Sequence, residues 1–297
     1  MKAMHTRWLV GVAVLGILVA ACAGASTGSS SPSPSPSPSP SPSPSTEPAG
    51  SSTASPSAAA SLNPTVSTEP DEHVSSIWAG YVTDPGSGQQ PFTDVVGGFT
   101  VPTVSCDVVD DTAAFWVGFD GYLGPDQTTV EQAGVTATCL APSVNAPVTP
   151  DYYAWWMMFD AGGGAEFSMP VHPGDSIEAE VSYASGEYTL AVRNLTTSNV
   201  ATKVMTCDAV CDRASAEWMA ERAGNSSLAT FGVVTFTQCS ATLAGEAAQP
   251  ISAFTNQRLD MAEQRPTGYE RYATAGPLEG SGDTFDVQWL SRGTAGP

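Results

Sequence analysis

Along residues 71–297 hydrophobic and polar positions alternate in short stretches with a period of two. The clearest case is Ser176 to Tyr183. Ile177, Ala179, Val181 and Tyr183 fall on one side, and Ser176, Glu178, Glu180 and Ser182 on the other. Alternation of this kind marks a strand with one buried face. Further stretches rich in β-branched and aromatic residues are Ser76–Val82, Asp94–Val101, Ala113–Phe119, Thr128–Val135, Tyr152–Phe159, Tyr188–Asn194, Val200–Met205 and Gly232–Phe236. Pro173-Gly174-Asp175 and Ala184-Ser185-Gly186-Glu187 read as turns between consecutive strands. No long amphipathic helix stands out. Many short strands in a chain of this size predict an all-β fold, a two-sheet antiparallel β-sandwich. Ala214 to Arg222 does not fit the pattern, because its Ala, Met and Glu content favours a helix. In a helix Glu217 and Glu221 share a face at i and i+4, and in a strand they share one as well.

The first 70 residues have a different texture. Lys2 and Arg7 precede an apolar run from Trp8 to Ala20, and Val19-Ala20-Ala21-Cys22 places small residues just before a cysteine. Residues 1–21 resemble a bacterial lipoprotein signal peptide, with Cys22 as the lipidated residue; a plain secretory signal is the alternative. Residues 22–70 read as a disordered linker. Ser31 to Pro44 is seven Ser-Pro dipeptides, and Ser, Ala, Thr and Pro dominate as far as Pro70. Such a stretch cannot bury enough apolar surface to offset its ordering entropy. Residues 71–297 then form one domain with one core.

Composition narrows the function classes. Once Lys2 and Arg7 leave with the signal, 8 basic residues face 30 acidic ones, a formal −22. A chain with so few cations lacks the basic surface that phosphate contacts require, so nucleic acid is excluded as a partner. Five cysteines follow Cys22: Cys106, Cys139, Cys207, Cys211 and Cys239. An exported chain keeps disulfides, and Cys207 and Cys211 are close enough to bridge; Cys106–Cys139 is a second candidate pair. An odd count leaves one thiol over. No His stands near these cysteines at zinc-ligand spacing, so no metal is expected.

The usual hydrolytic signatures are missing. The three histidines are His5, His73 and His172, and there is no G-x-S-x-G turn, no Asp-Thr-Gly or Asp-Ser-Gly pair and no H-E-x-x-H. A different series is present: Ser76-Ile77-Trp78-Ala79-Gly80-Tyr81, Ala114-Phe115-Trp116-Val117-Gly118-Phe119-Asp120-Gly121, Glu131-Gln132-Ala133-Gly134 and Tyr152-Tyr153-Ala154-Trp155-Trp156-Met157-Met158-Phe159. After it come Pro173-Gly174-Asp175-Ser176-Ile177, Asn194-Leu195-Thr196-Thr197, Ala216-Glu217-Trp218-Met219-Ala220-Glu221 and Phe231-Gly232-Val233-Val234-Thr235-Phe236-Thr237. In this order the series resembles the glutamic peptidases, or eqolisins. The resemblance implies a bent, concanavalin-like sandwich of two seven-stranded sheets with a concave substrate groove. It also implies acid endopeptidase activity from a Gln–Glu dyad. Matched residue by residue, the glutamine falls on Gln132 and the glutamate on Glu221, not Glu217. Trp78 and Trp116 are expected to border the groove as substrate contacts. Asp120 is expected either as an acid tuning the site or as a turn residue.

The chemistry is coherent on its own terms. A carboxylate takes a proton from water as it attacks the scissile carbonyl and returns it to the leaving amine. An amide N–H donates to the developing oxyanion and, unlike a histidine, does not titrate in acid. No cofactor is required. The chain departs from the family at three places where members carry acids, which here are Thr136, Tyr153 and Met157. The expected protein is a monomeric, extracytoplasmic endopeptidase acting on polypeptides, held to the membrane only by its lipid anchor. The competing reading is a non-catalytic sandwich that binds carbohydrate or peptide at the cell surface, since a fold alone does not decide function.

Overall fold

In a computed structural model, described for residues 73–122, 129–159, 163–207, 209–223 and 226–293, the alternating stretches all become strands. The signal, Cys22 and the linker lie outside the described residues, as does Thr128. The strands are β1 (Val74–Ser75), β2 (Trp78–Asp84), β3 (Phe92–Thr100), β4 (Thr112–Phe119), β5 (Val130–Leu140), β6 (Thr149–Phe159), β7 (Gly163–Pro170) and β8 (Ser176–Ala184). They continue with β9 (Glu187–Asn194), β10 (Asn199–Met205), β11 (Ala216–Glu221), β12 (Val233–Leu243), β13 (Gln249–Pro250), β14 (Thr255–Arg265), β15 (Gly268–Ala275) and β16 (Phe285–Trp289). One 3-10 turn, Ile251–Ala253, is the only helical element among the described residues.

Hydrogen bonds run through the order β10-β9-β8-β3-β12-β16-β15-β14-β2-β11-β4-β5-β6-β7, and each pairing along it is antiparallel. β14 is the corner. Its Thr255–Leu259 part pairs with β2, and its Met261–Arg265 part pairs with β15, with a register shift just after Met261. Seven strands lie before β14 in this order, and β14 opens the second set of seven. The expected sandwich is therefore present, and its sheets are joined through one shared strand.

The main core lies between the sheets. The second sheet contributes Tyr81, Phe115, Val117, Val135 and Trp218, and the first contributes Phe99, Ile177, Val181, Leu190, Phe236 and Phe285. At roughly 25 cal/mol per Å² of apolar area removed from water, this burial is the main term favouring the fold. Ala214–Arg222 is resolved in favour of a strand: β11 sits between β2 and β4, bonded on both sides. Two flanking ladders and the burial of Trp218 in the core outweigh a helix preference of a few tenths of a kcal/mol per residue.

The face of the second sheet turned away from this core is also covered. Trp78, Val82, Ala114, Trp116, Trp155, Met219 and Leu259 form a second cluster there, with Ile77, Tyr122 and Tyr153 packed against it. β2, β4 and β11 are consequently buried at nearly every position. Disulfides join Cys106 to Cys139 and Cys207 to Cys211, and Cys239 is the buried free thiol.

Candidate active site

Strand register places the predicted residues. Glu221 pairs with Trp78 on β2 and with Ala114 on β4. Gln132 on β5 pairs with Gly118 on β4, which pairs in turn with Glu217 on β11. Directly paired residues point the same way, so Gln132, Glu217, Glu221, Trp78 and Trp116 all belong to the outer face of the second sheet. The two dyad candidates share this face, on strands separated by β4 and offset by four residues. Trp116 occupies the intermediate position on β4, two residues from Gly118 and two from Ala114.

Glu221 is partly exposed. Its Oε2 accepts a hydrogen bond from Trp116 Nε1 at 2.7 Å. Trp78 meets Trp116 edge-on, with ring centroids 5.3 Å apart, and its own Nε1 is buried without a hydrogen-bond partner. One indole N–H thus bonds the carboxylate and a second lies near it. Burial pushes the Glu221 carboxyl up to about 7, against the pull of the Trp116 N–H and of the nearby Trp78 indole. The adjacent Arg222 does not counter this through a free charge. Its Nε donates to the Ser76 carbonyl at 2.8 Å, its Nη2 pairs with Glu263, and its guanidinium stacks on Tyr272.

Gln132 is 4 % exposed. Its side chain lies against Gly118: a Cβ built there would stand 2.7 Å from Gln132 Cγ and 2.6 Å from the Glu131 carbonyl oxygen. The glycine is therefore what lets Gln132 lean toward β4 and β11. Beyond β4 the chain turns back over this face at Asp120 (φ 62°) and Gly121 (φ 94°). A Cβ on Gly121 would stand 3.3 Å from Trp78 and 2.5 Å from Val130 Cγ1, and Tyr122 Oη reaches Gln257 at 3.1 Å. These residues form a rim above the indoles.

Asp120 differs from a groove residue. It is buried, and its carboxylate accepts the backbone N–H groups of Arg213 and Ala214, each at 2.7 Å. Its geometry is that of a turn residue clamping the segment that leads into β11, so it does not reach the surface as a substrate contact. Two further acids lie nearby to which the sequence alone assigned no role. Glu131 and Glu217 are fully buried, and none of their carboxyl oxygens has a hydrogen-bond partner. Burial, with the Asp120 charge adding to it, pushes Glu131 up to about 9. Burial also holds Glu217 well above the usual carboxylate range. Glu131 is a neutral acid at neutral pH. Glu217 stands level with Gln132, yet its fully buried carboxyl has no contact with water. Among the described residues no cluster of His, Cys, Asp and Glu could hold a metal ion.

Comparison with known proteins gives the context of this geometry. The chain matches the Peptidase A4 family over residues 76–282. Aspergillopepsin-2 of Aspergillus niger is 31% identical over 211 residues, covering 62% of this chain and 70% of that protein. The crystal structure of scytalido-glutamic peptidase with a transition-state analogue inhibitor superimposes with a TM-score of 0.56 at 21% identity, over 73% of this chain and 99% of that one. SCP-B, a member of the eqolisin family solved with the tripeptide Ala-Ile-His, gives 0.52 at 22% identity over the same shares. At these identities the solved structures establish a shared fold.

Proposed function

Because the chain belongs to the Peptidase A4 family and is a glutamic-type endopeptidase, we propose that Glu221 and Gln132 are its catalytic pair. The observation that carries this reading is the environment of Glu221. It is a partly exposed carboxylate, held by an indole N–H at 2.7 Å, on the face that also holds Gln132. A four-residue offset and two strand spacings put the two Cα atoms about 16 Å apart in a flat sheet. Both side chains rise from the same face on either side of Trp116, so a substrate laid across that face meets the amide at one end and the carboxylate at the other.

In the reaction, ionised Glu221 accepts a proton from the water as the water oxygen bonds to the scissile carbon. The Gln132 amide N–H donates to the oxyanion that forms. Glu221 then returns the proton to the leaving nitrogen as the C–N bond breaks, releasing a carboxylic acid and an amine. Trp116 and Trp78 keep Glu221 oriented and lower its pKa toward a usable range. With Glu221 near 7, the working range is mildly acid to neutral rather than strongly acid. The signal pattern ending at Cys22 supports an enzyme held outside the cytoplasm on a lipid anchor, and its two disulfides suit an oxidising compartment. The substrate is polypeptide.

The test is digestion of an unfolded protein by purified wild type, Glu221→Gln and Glu217→Gln across pH 4–8. Wild type and Glu217→Gln cleave; Glu221→Gln loses at least about 10²-fold in rate while its folding is unchanged. Retained cleavage by Glu221→Gln, or loss confined to Glu217→Gln, would refute the assignment.

A further inference from the structure

β6 turns Trp155, Met157 and Phe159 toward the outer face, where Met157 pairs directly with Gln132 and Phe159 with Val130. Met157 is 36 % exposed and Phe159 46 % exposed. On the other side of β6, Met157 pairs with Gly164, which has no side chain to cover it. A Cβ on the neighbouring Gly163 would meet nothing within 4 Å. Val130 fills in beneath Gly121, so Val130, Phe159 and Met157 make a continuous apolar shelf running up to Gln132. No charged side chain lies on this face of β6 between Tyr153 and Phe159.

The place of this shelf in the reaction rests on the proposed roles of Gln132 and Glu221. The attacked carbon carries four groups at the tetrahedral stage. The new hydroxyl and the leaving nitrogen both need Glu221, and the oxyanion needs Gln132. The remaining group, the Cα of the residue that contributes the scissile carbonyl, is directed away from Glu221 and past Gln132. We propose that Met157, backed by Phe159, is the specificity-determining residue for that position, and that it selects a large apolar side chain. An exposed methionine suits the role, because its flexible thioether fills gaps against side chains of different shape. Water leaves two apolar surfaces when the substrate residue settles on the shelf, and a charged residue there loses hydration; the nearest charge on β7, Glu166 opposite Trp155, is an exposed, solvated carboxylate beyond the shelf's edge.

The experiment uses matched, internally quenched peptides differing only at the residue before the scissile bond, as Leu, Lys or Glu, with product masses locating the cut. Wild type favours Leu over Lys by about tenfold or more in kcat/KM. Met157→Ala lowers kcat/KM for the Leu peptide about tenfold, mainly through KM, and so narrows the Leu-to-Lys ratio. Met157→Glu, assayed at pH 6, shifts the preference toward Lys by at least tenfold. An unchanged Leu-to-Lys ratio in both variants overturns the proposal, and so does a wild type with no apolar preference; the dyad stands in either case. A wild type that cleaves neither the peptides nor an unfolded protein overturns the dyad and this proposal together.

Discussion

Replacing Trp116 by Phe removes the one N–H that hydrogen-bonds Glu221 and keeps a smaller aromatic ring in its place. The bond is 2.7 Å long and runs to the ionised form of the carboxyl. Hydrogen bonds to charged groups contribute about 1.5–3 kcal/mol, and one pKa unit corresponds to about 1.4 kcal/mol. The bond favours the carboxylate over the acid, so its loss raises the pKa by about one to two units. Trp78, whose indole N–H pulls the same way and is otherwise unpartnered, takes up part of the deficit and favours the lower figure. Wild type should show kcat/KM rising about tenfold per pH unit on its acid limb and levelling off near pH 7. In Trp116→Phe the same limb should level off about one unit higher. At pH 6 the variant is then about tenfold slower, and the gap closes as pH rises. The assay is the pH dependence of kcat/KM on one peptide, restricted to conditions where circular dichroism shows both proteins folded. A limb that stays in place, or moves to lower pH, would refute the proposed role of the indole. A deficit equal at every pH would show that Trp116 matters only for packing.

Two other outcomes follow from the same sheet. Glu131 carries a proton in the fold up to about 9, against an ordinary value of 4.5, so its contribution to stability is complete below about 4.5 and is lost as pH rises toward 9. The slope is about 1.4 kcal/mol per pH unit, so the melting temperature should fall on the order of 10 °C between pH 5 and pH 8, and Glu131→Gln should flatten that fall; a melting temperature that rises over this range would contradict it. Gly118→Ala puts a methyl 2.7 Å from Gln132 Cγ and 2.6 Å from a backbone oxygen, so it should lower kcat by about 10²-fold or more through displacement of the oxyanion donor, and an unimpaired kcat would count against Gln132.

Strands whose two faces differ in polarity were legible in the sequence, and so were those carrying dense aromatic motifs. β8 shows its period of two directly, β2, β4 and β6 carry Trp-containing motifs, and β5 carries the Glu-Gln-Ala-Gly motif. β7, β14, β15 and β16 were not anticipated. β14 reads Thr-Asn-Gln-Arg-Leu-Asp-Met-Ala-Glu-Gln-Arg, with only three apolar side chains, because it changes sheets midway and presents different faces to each. A corner strand loses its simple alternation at the register shift. β7 is an exposed edge strand opening with Gly163 and Gly164, so little of it is buried. Asp120 shows a second limit. Its motif position suggested the groove, but two consecutive residues with positive φ turn it inward onto the backbone of Arg213 and Ala214, a conformation no spacing rule reveals.

Glu217 and Glu221 show how far position alone carries an assignment. They are the same residue type, on one strand, on one face, four residues apart. Register puts Glu217 closer to Gln132 than Glu221 is, so alternation and proximity by themselves would select Glu217. Their surroundings separate them. Glu217 is sealed beside Asp120 and Glu131, whose charges add to the burial that raises its pKa, with only the nearby Ser215 hydroxyl pulling the other way. Cut off from solvent, it has no water to activate. Glu221 stands where the sheet face opens, keeps some solvent contact and has one indole N–H bonded and another at hand. Different surroundings are the usual basis for assigning different roles to chemically identical carboxyls. Glu221 ionises only as pH approaches about 7, while raising the pH erodes the stability contributed by the protonated Glu131. On the role proposed for Glu221, activity rises with pH over the range in which this contribution to stability falls.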